Sequence, residues 1–239
     1  MNPNQNRLQF LGHSSLKIQT SQDKIVYIDP WLKKNPVCPP EERQIARADL
    51  ILITHGHDDH MDEDLPEIVQ RTGARVVAPA PVRFYLQRQG VTTLEPINVG
   101  GTIQILGLGV TMTQAKHHSW VDTAGGQSYF HEAAGYVLTL EDGYTIYFAG
   151  DTAVFGDMEL IGKLYRPDLA VLPIGDRFTM GPLEAAMAIR LLGVKKVLPV
   201  HYKTFKLLTG TPAELREYTA DISDLEIIEL RAGDWLELA

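Results

Sequence analysis

Four consecutive aliphatic residues, Leu50-Ile51-Leu52-Ile53, run straight into Thr54-His55-Gly56-His57-Asp58-Asp59-His60. The run from Asp49 to Thr54 is too apolar for a half-exposed strand and reads as one buried on both faces. Such a strand needs layers above and below it, so the chain must build an α/β architecture around it, with a histidine-rich loop at the strand's carboxyl end. With eight histidines and sixteen aspartates in 239 residues, His-x-His-x-Asp-His arises somewhere from composition alone with a chance on the order of 6 × 10⁻⁴. Histidines two apart in an extended turn can point both imidazoles to one side, while Asp59 and His60 face an adjacent point. Two neighbouring metal sites follow, built from nitrogen and oxygen donors that suit Zn²⁺, Mn²⁺ or Fe²⁺.

The flanking pattern supports two α/β layers packed through their sheets. Short apolar runs at Leu8–Leu11, Leu16–Gln19 and Ile25–Ile28 predict three antiparallel strands. A helix over 62–72 with a stop at Gly73, a strand over 74–78, a helix over 81–89 and β segments at 93–97, 102–106 and 110–115 follow. The second half begins with strands over 134–140 and 145–149 around the Glu141-Asp142-Gly143 turn. It continues with a helix near 158–164, a strand over 169–172 and a helix over 182–192 ended by Gly193. A strand over 196–200, a helix over 212–220 capped by Thr211, and strands over 225–230 and 235–238 complete it. The stretch 116–132, rich in Gly, Ser, His and Gln, reads as a functional loop.

Further donors stand just past other apolar runs: His117 or His118 after 110–115, Asp151 after 145–149, and His201 after 196–200. The carboxyl ends of strands are where open α/β sheets place their ligands. The balance of 22 basic against 30 acidic residues, net −8, has the wrong sign for a nucleic-acid or anionic-membrane partner. One cysteine, Cys38, allows neither an intrachain disulfide nor a thiolate cluster and fits a reducing, cytoplasmic setting. The polar amino terminus lacks a signal-peptide core, and no run approaches the ~18 apolar residues of a membrane span.

The order His-x-His-x-Asp-His, later His, Gly-Asp, final His resembles the metallo-β-lactamase superfamily. Leu11-Gly12-His13-Ser14, Leu172-Pro173-Ile174-Gly175-Asp176 with Phe178-Thr179-Met180-Gly181, and Pro199-Val200-His201-Tyr202 are similar to a group of small bacterial metal-dependent hydrolases. That group is related to ascorbate-6-phosphate lactonases and, more distantly, to N-acyl-phosphatidylethanolamine phospholipases. The resemblance runs from about residue 8 to about 238 and implies one domain, 1–239, folded as a four-layer αββα sandwich. It implies two divalent ions, Zn or Mn, with His55, His57 and His117 for one, Asp59, His60 and His201 for the other, and Asp151 bridging. Asp29 matches an aspartate that orders the histidine loop from behind, and His117 rather than His118 fits the register of Gln114-Ala115-Lys116-His117. Asp151 stands where some β-lactamases carry a cysteine, and His57 where flavodiiron oxygen reductases carry an acid; neither of those chemistries is expected.

The activity so implied is hydrolysis by a hydroxide between two ions, with Asp59 as the proton shuttle and a small molecule as substrate. A lactone or similar ester is the expected substrate, a phosphorylated one included, because Lys116, Arg177, Lys203 and Lys206 set positive charge near the cleft of an acidic chain. A small or lipid phosphodiester is the alternative. A metal-binding sensor or scaffold is the alternative of another class, and the complete ligand set argues against it. RNA processing is disfavoured by net charge. His13 is read as a group at the cleft wall against a structural hydrogen-bonder, Asp176 as part of a loop over the metal face against a helix-approach cap, and His118 as substrate-facing. His131 reads as a loop residue. Trp31 and Trp120 read as an apolar wall or as core. Related lactonases imply a homo-oligomer.

Overall fold

The computed structural model describes residues 5–122, 126 and 128–239. Part of the polar amino terminus, residues 1–4, and residues 123–125 and 127 of the expected loop lie outside the described residues. The chain divides into two compact units: Met1–Asn98, His118–Ala133 and Arg231–Ala239 form one, Val99–His117 and Ala134–Leu230 the other.

The first unit carries β1 (Arg7–Gly12), β2 (Ser15–Gln19), β3 (Ile25–Ile28), β4 (Leu50–Leu52), β5 (Arg75–Val77) and β6 (Leu94–Glu95). Helices α1 (Leu65–Thr72) and α2 (Ala80–Arg88) belong to it as well. The carboxyl-terminal strand, here β14 (Trp235–Glu237), joins at the edge to give the order β14-β1-β2-β3-β4-β5-β6. The strands β1 to β3 are antiparallel and β3 to β6 parallel. All three residues of β4 are buried, because parallel strands are covered on both faces. Leu65, Ile68 and Val69, at helical spacing, turn one side of α1 into a core that also holds Ile51, Ile53, Val76, Val82 and Leu86.

The second unit holds β7 (Thr102–Ile105), most of β8 (Leu108–Asp122) and β9 (Ser128–Thr139), then β10 (Thr145–Phe148), β11 (Leu169–Pro173), β12 (Lys196–Val200) and β13 (Glu226–Ile227). Helices α3 (Met158–Tyr165), α4 (Pro182–Leu192) and α5 (Pro212–Tyr218) complete it. Its sheet runs β13-β12-β11-β10-β9-β8-β7, parallel from β10 to β13 and antiparallel between β9 and β10. Its core gathers Tyr147, Ala170, Leu172, Ala185, Ile189 and Val197. Each sheet is thus mixed, with flanking helices.

The loop expected over 116–132 is instead largely strand. Lys116–Asp122 extends β8, and Ser128–Glu132 opens β9. The alternation is present, with Ser119 and Val121 buried and His118 and Trp120 exposed. Polar composition concealed it, because only one of those two inward positions is apolar. Where β6 and β13 form, they are shorter than expected; each is the outermost strand of its sheet and has a neighbour on one side only.

Candidate metal centre

The first unit assembles its donors around Asp29, one residue past β3. Asp29 is buried, with a left-handed backbone (φ 46°), and its N–H donates to Leu52 O at 3.0 Å. Its Oδ1 accepts the Thr54 N–H at 2.7 Å, and its Oδ2 accepts the Thr54 hydroxyl at 2.6 Å. The same Oδ2 lies 2.8 Å from His60 Nδ1. Thr54 Oγ1, its hydrogen given to Asp29, accepts from His55 Nδ1 at 2.9 Å. The network therefore has Nδ1–H donate in both His55 and His60, so Nε2 is the atom that each would offer a cation. Asp29, His55 and His60 also sit close enough together to suggest a cation site of their own, but the Asp29 oxygens and both Nδ1 atoms are occupied by these hydrogen bonds.

His55 Nε2 stands 3.1 Å from His57 Nδ1. Two ligands on one tetrahedral cation with bonds of about 2.0–2.1 Å are separated by roughly 3.4 Å, so the pair is spaced as ligands are. His13, Asp59 and His60 form a second group in the same unit, one donor atom from each lying within 4.8 Å of the others. His13 Nε2 is 3.3 Å from Asp59 Oδ2. His13 is buried at the turn after β1 with φ 58°, and its ring meets Trp31 at 5.3 Å and His60 at 5.7 Å. Asp59 keeps 30% of its side chain exposed, which suits a group that exchanges protons with solvent or substrate. Gly56 sits where a Cβ would lie 2.4 Å from Val121 Cγ2 and 2.8 Å from the Trp120 carbonyl oxygen. Only glycine allows the β8 backbone this close to the histidine loop.

The second unit assembles its donors around Asp151. Asp151 follows β10 and His201 follows β12, both buried. His201 Nε2 lies 3.1 Å and His117 Nε2 3.8 Å from the same oxygen, Asp151 Oδ2. Lys116 N–H donates to Thr152 Oγ1 at 2.9 Å, and Ala153 N–H donates to the Lys116 carbonyl at 3.1 Å. These two bonds join β8 to the segment after Asp151 and so hold His117 beside that carboxylate. His201 has φ 56°, and a Cβ on Gly175 would lie 2.0 Å from its carbonyl oxygen; glycine leaves room for that bend.

Adjacent residues of a strand point to opposite faces, and His118 is exposed. Asp176 is also exposed, in a turn where its N–H donates to Met180 O at 3.0 Å and its Oδ1 accepts the Arg177 N–H at 2.7 Å. Among the described residues no cluster of three donors includes either of them. Trp31 is buried, while Trp120 is half exposed with its ring 4.6 Å from that of His57. His131 Nδ1 bonds the Glu132 carbonyl at 2.8 Å, and burial holds its ring below the usual imidazole pKa. For Asp29 the sequence signal was the resemblance, which puts an aspartate at the end of Ile25–Ile28 behind the histidine loop. The sequence marked His13 only through the resemblance of Leu11-Gly12-His13-Ser14, and its approach to Asp59 spans 46 residues.

A metal fits this donor chemistry: both units offer imidazole nitrogens and carboxylate oxygens at ligand-like spacing. The one thiol, Cys38, whose pKa burial pushes up to about 11, belongs to none of the groups of three candidate donors among the described residues.

The β-lactamase superfamily domain matches residues 24–202. The chain belongs to this superfamily and, within it, to the UPF0173 metal-dependent hydrolases; its two mixed sheets with flanking helices are the metallo-β-lactamase fold. A UPF0173 metal-dependent hydrolase of Rubrobacter xylanophilus is 46% identical over 232 residues, 96% of each chain. One from Korarchaeum cryptofilum is 42% identical over 233 residues, covering 97% of this chain and 99% of its own. Among solved structures, Igni18, a metallo hydrolase from Ignicoccus hospitalis, is similar with a TM-score of 0.83 and 29% identity over 98% of both chains.

Proposed function

We propose that the chain hydrolyses a lactone or similar ester of a small molecule, a phosphorylated one included, at a centre of two divalent cations, Zn or Mn. His55, His57 and His117 would hold one ion, Asp59, His60 and His201 the other, and Asp151 would bridge. Two such ions lower the pKa of water toward neutrality and polarise the carbonyl or phosphoryl oxygen under attack.

The observation that carries the proposal is the Asp29 network. One buried carboxylate orients His60 directly and His55 through the Thr54 hydroxyl, a preorganisation that a solvated histidine loop has no use for. Asp151 adds to it: an oxygen facing two imidazole Nε2 atoms is what a shared carboxylate ligand requires. Asp59, partly exposed beside His13 Nε2, would take the proton of the attacking water and pass it to the leaving oxygen.

The test joins metal analysis to a hydrolysis panel of lactones, sugar-phosphate lactones and phosphodiesters, with His57→Ala as the blank. About two ions per chain and turnover of lactones are expected, and Asp151→Asn should lower both occupancy and rate. Fewer than about one ion per chain after purification without chelator would sink the metal centre. Turnover confined to phosphodiesters would replace the ester by phosphorus chemistry at the same ions.

A further inference from the structure

We infer that Trp120 and Phe130 form an aromatic wall that holds an apolar alkyl or aryl group of the substrate beside His57. The inference starts from the way the β8–β9 tip is fastened in the first unit. Ser119 is buried, and its Oγ accepts the Gly56 N–H at 3.2 Å. Val121 is buried in that unit's core. Trp120, between these two anchors, must point away from them, yet its ring edge meets His57 at 4.6 Å with an interplanar angle of 73°. It stays 44% exposed.

Phe130 on β9 is 77% exposed and brings its ring to 6.5 Å from that of Trp120. Its neighbour Tyr129 instead lies under the Arg88 guanidinium at 5.4 Å. The tip therefore gives one aromatic a partner and leaves two others facing water. Two large rings side by side in solvent are unfavourable until something covers them. The occupant is set by the position of the rings: one of them touches a proposed metal ligand. A molecule whose ester sits at His57 therefore reaches the rings with whatever substituent the ester carries. Both rings present carbon, and a flat aromatic surface accepts methylene chains and aryl rings alike.

This binding mode rests on the hydrolytic centre proposed above, so its test needs a readout that does not depend on turnover. Calorimetric titration of the metal-replete protein with acetate and with octanoate, which share a carboxylate and differ in chain, isolates the wall. Octanoate should bind at least about tenfold more tightly. Phe130→Ala and Trp120→Ala should each narrow the ratio to less than about threefold, and Phe130→Ala should leave acetate affinity within about twofold. Phe130→Ala touches neither His57 nor the core, so it reads the wall where the Trp120 variant disturbs its neighbour.

Kinetics give the second arm. Along esters with acyl chains of two to eight carbons, kcat/KM should climb at least about tenfold, and both variants should flatten the climb. Equal affinity for acetate and octanoate in the unsubstituted protein overturns the wall, as does a uniform loss across chain lengths in Phe130→Ala. A chain-length preference in binding, lost in both variants, with no ester turned over, overturns the hydrolysis of esters and leaves the wall standing.

Discussion

Asp29 carries an unusual share of the proposed metal chemistry for one side chain. It accepts two hydrogen bonds from Thr54, engages His60 and, through Thr54, fixes the tautomer of His55. Asp29→Asn keeps the shape but replaces one acceptor oxygen by a donor, which sets its NH₂ against His60 Nδ1–H or the Thr54 donors. Metal affinity should fall by about 10–100-fold, measured by competition with a chromophoric chelator, and an unchanged affinity would remove Asp29 from the support of the centre. The role of Asp29 was legible in the sequence only by resemblance. Nothing in Ile28-Asp29-Pro30 names Thr54, 25 residues away, as its partner. For His117 and His118 the sequence alone left both open. The strand separates them, since opposite faces send one toward Asp151 and the other to solvent.

The elements were largely legible because their signals are local. The helix α5 shows this at its start. Pro212 sits in the first turn, Thr211 Oγ1 accepts the Glu214 N–H at 3.2 Å, and the Thr211 hydroxyl lies 2.8 Å from the Glu214 carboxylate. Cap and proline are both written within four residues. Thr211→Ala should cost about 1 kcal/mol, seen as a lower urea midpoint at constant slope. The far end was less legible: the helix stops at Tyr218 rather than Ala220. The clearest miss was the segment 116–132. Its buried positions, Ser119 and Val121, are buried by contact with the histidine loop, so its own composition does not mark it as strand.

At the scale of the molecule, two units of mixed sheet each close over their own apolar cluster, and burial also sets how the fold responds to base. Burial, with help from Asp168, Glu226 and Asp142, pushes Tyr144 up from 10.0 to about 12. Burial raises Tyr27 and Tyr147 as well. A phenol that holds its proton longer in the folded chain than in the unfolded one leaves stability intact below pH 10. Stability is then lost as pH climbs from about 10 toward 12, because the unfolded state alone releases the proton. Urea midpoints measured at pH 8 and pH 11 should therefore fall, and Tyr144→Phe should fall less; an equal drop in the variant would show that Tyr144 does not contribute to the alkaline loss.

The sequence by itself determined the α/β character, the nearly complete order of strands and helices, and the presence of a nitrogen- and oxygen-rich donor set at strand ends. Those properties follow from periodicity, caps and residue chemistry, all of which act over a few residues. Apart from what the resemblance implied for Asp29 and Asp151, tertiary structure decided which donor faces which: Asp29 behind His55 and His60, His13 beside Asp59, and Asp151 between His117 and His201. It also decided that Ser119 and Val121 make a strand and that Trp120 rests on His57. A hydrogen bond or ring contact is short-ranged in space but not along the chain, so its partner exists only once the sheets have brought distant segments together.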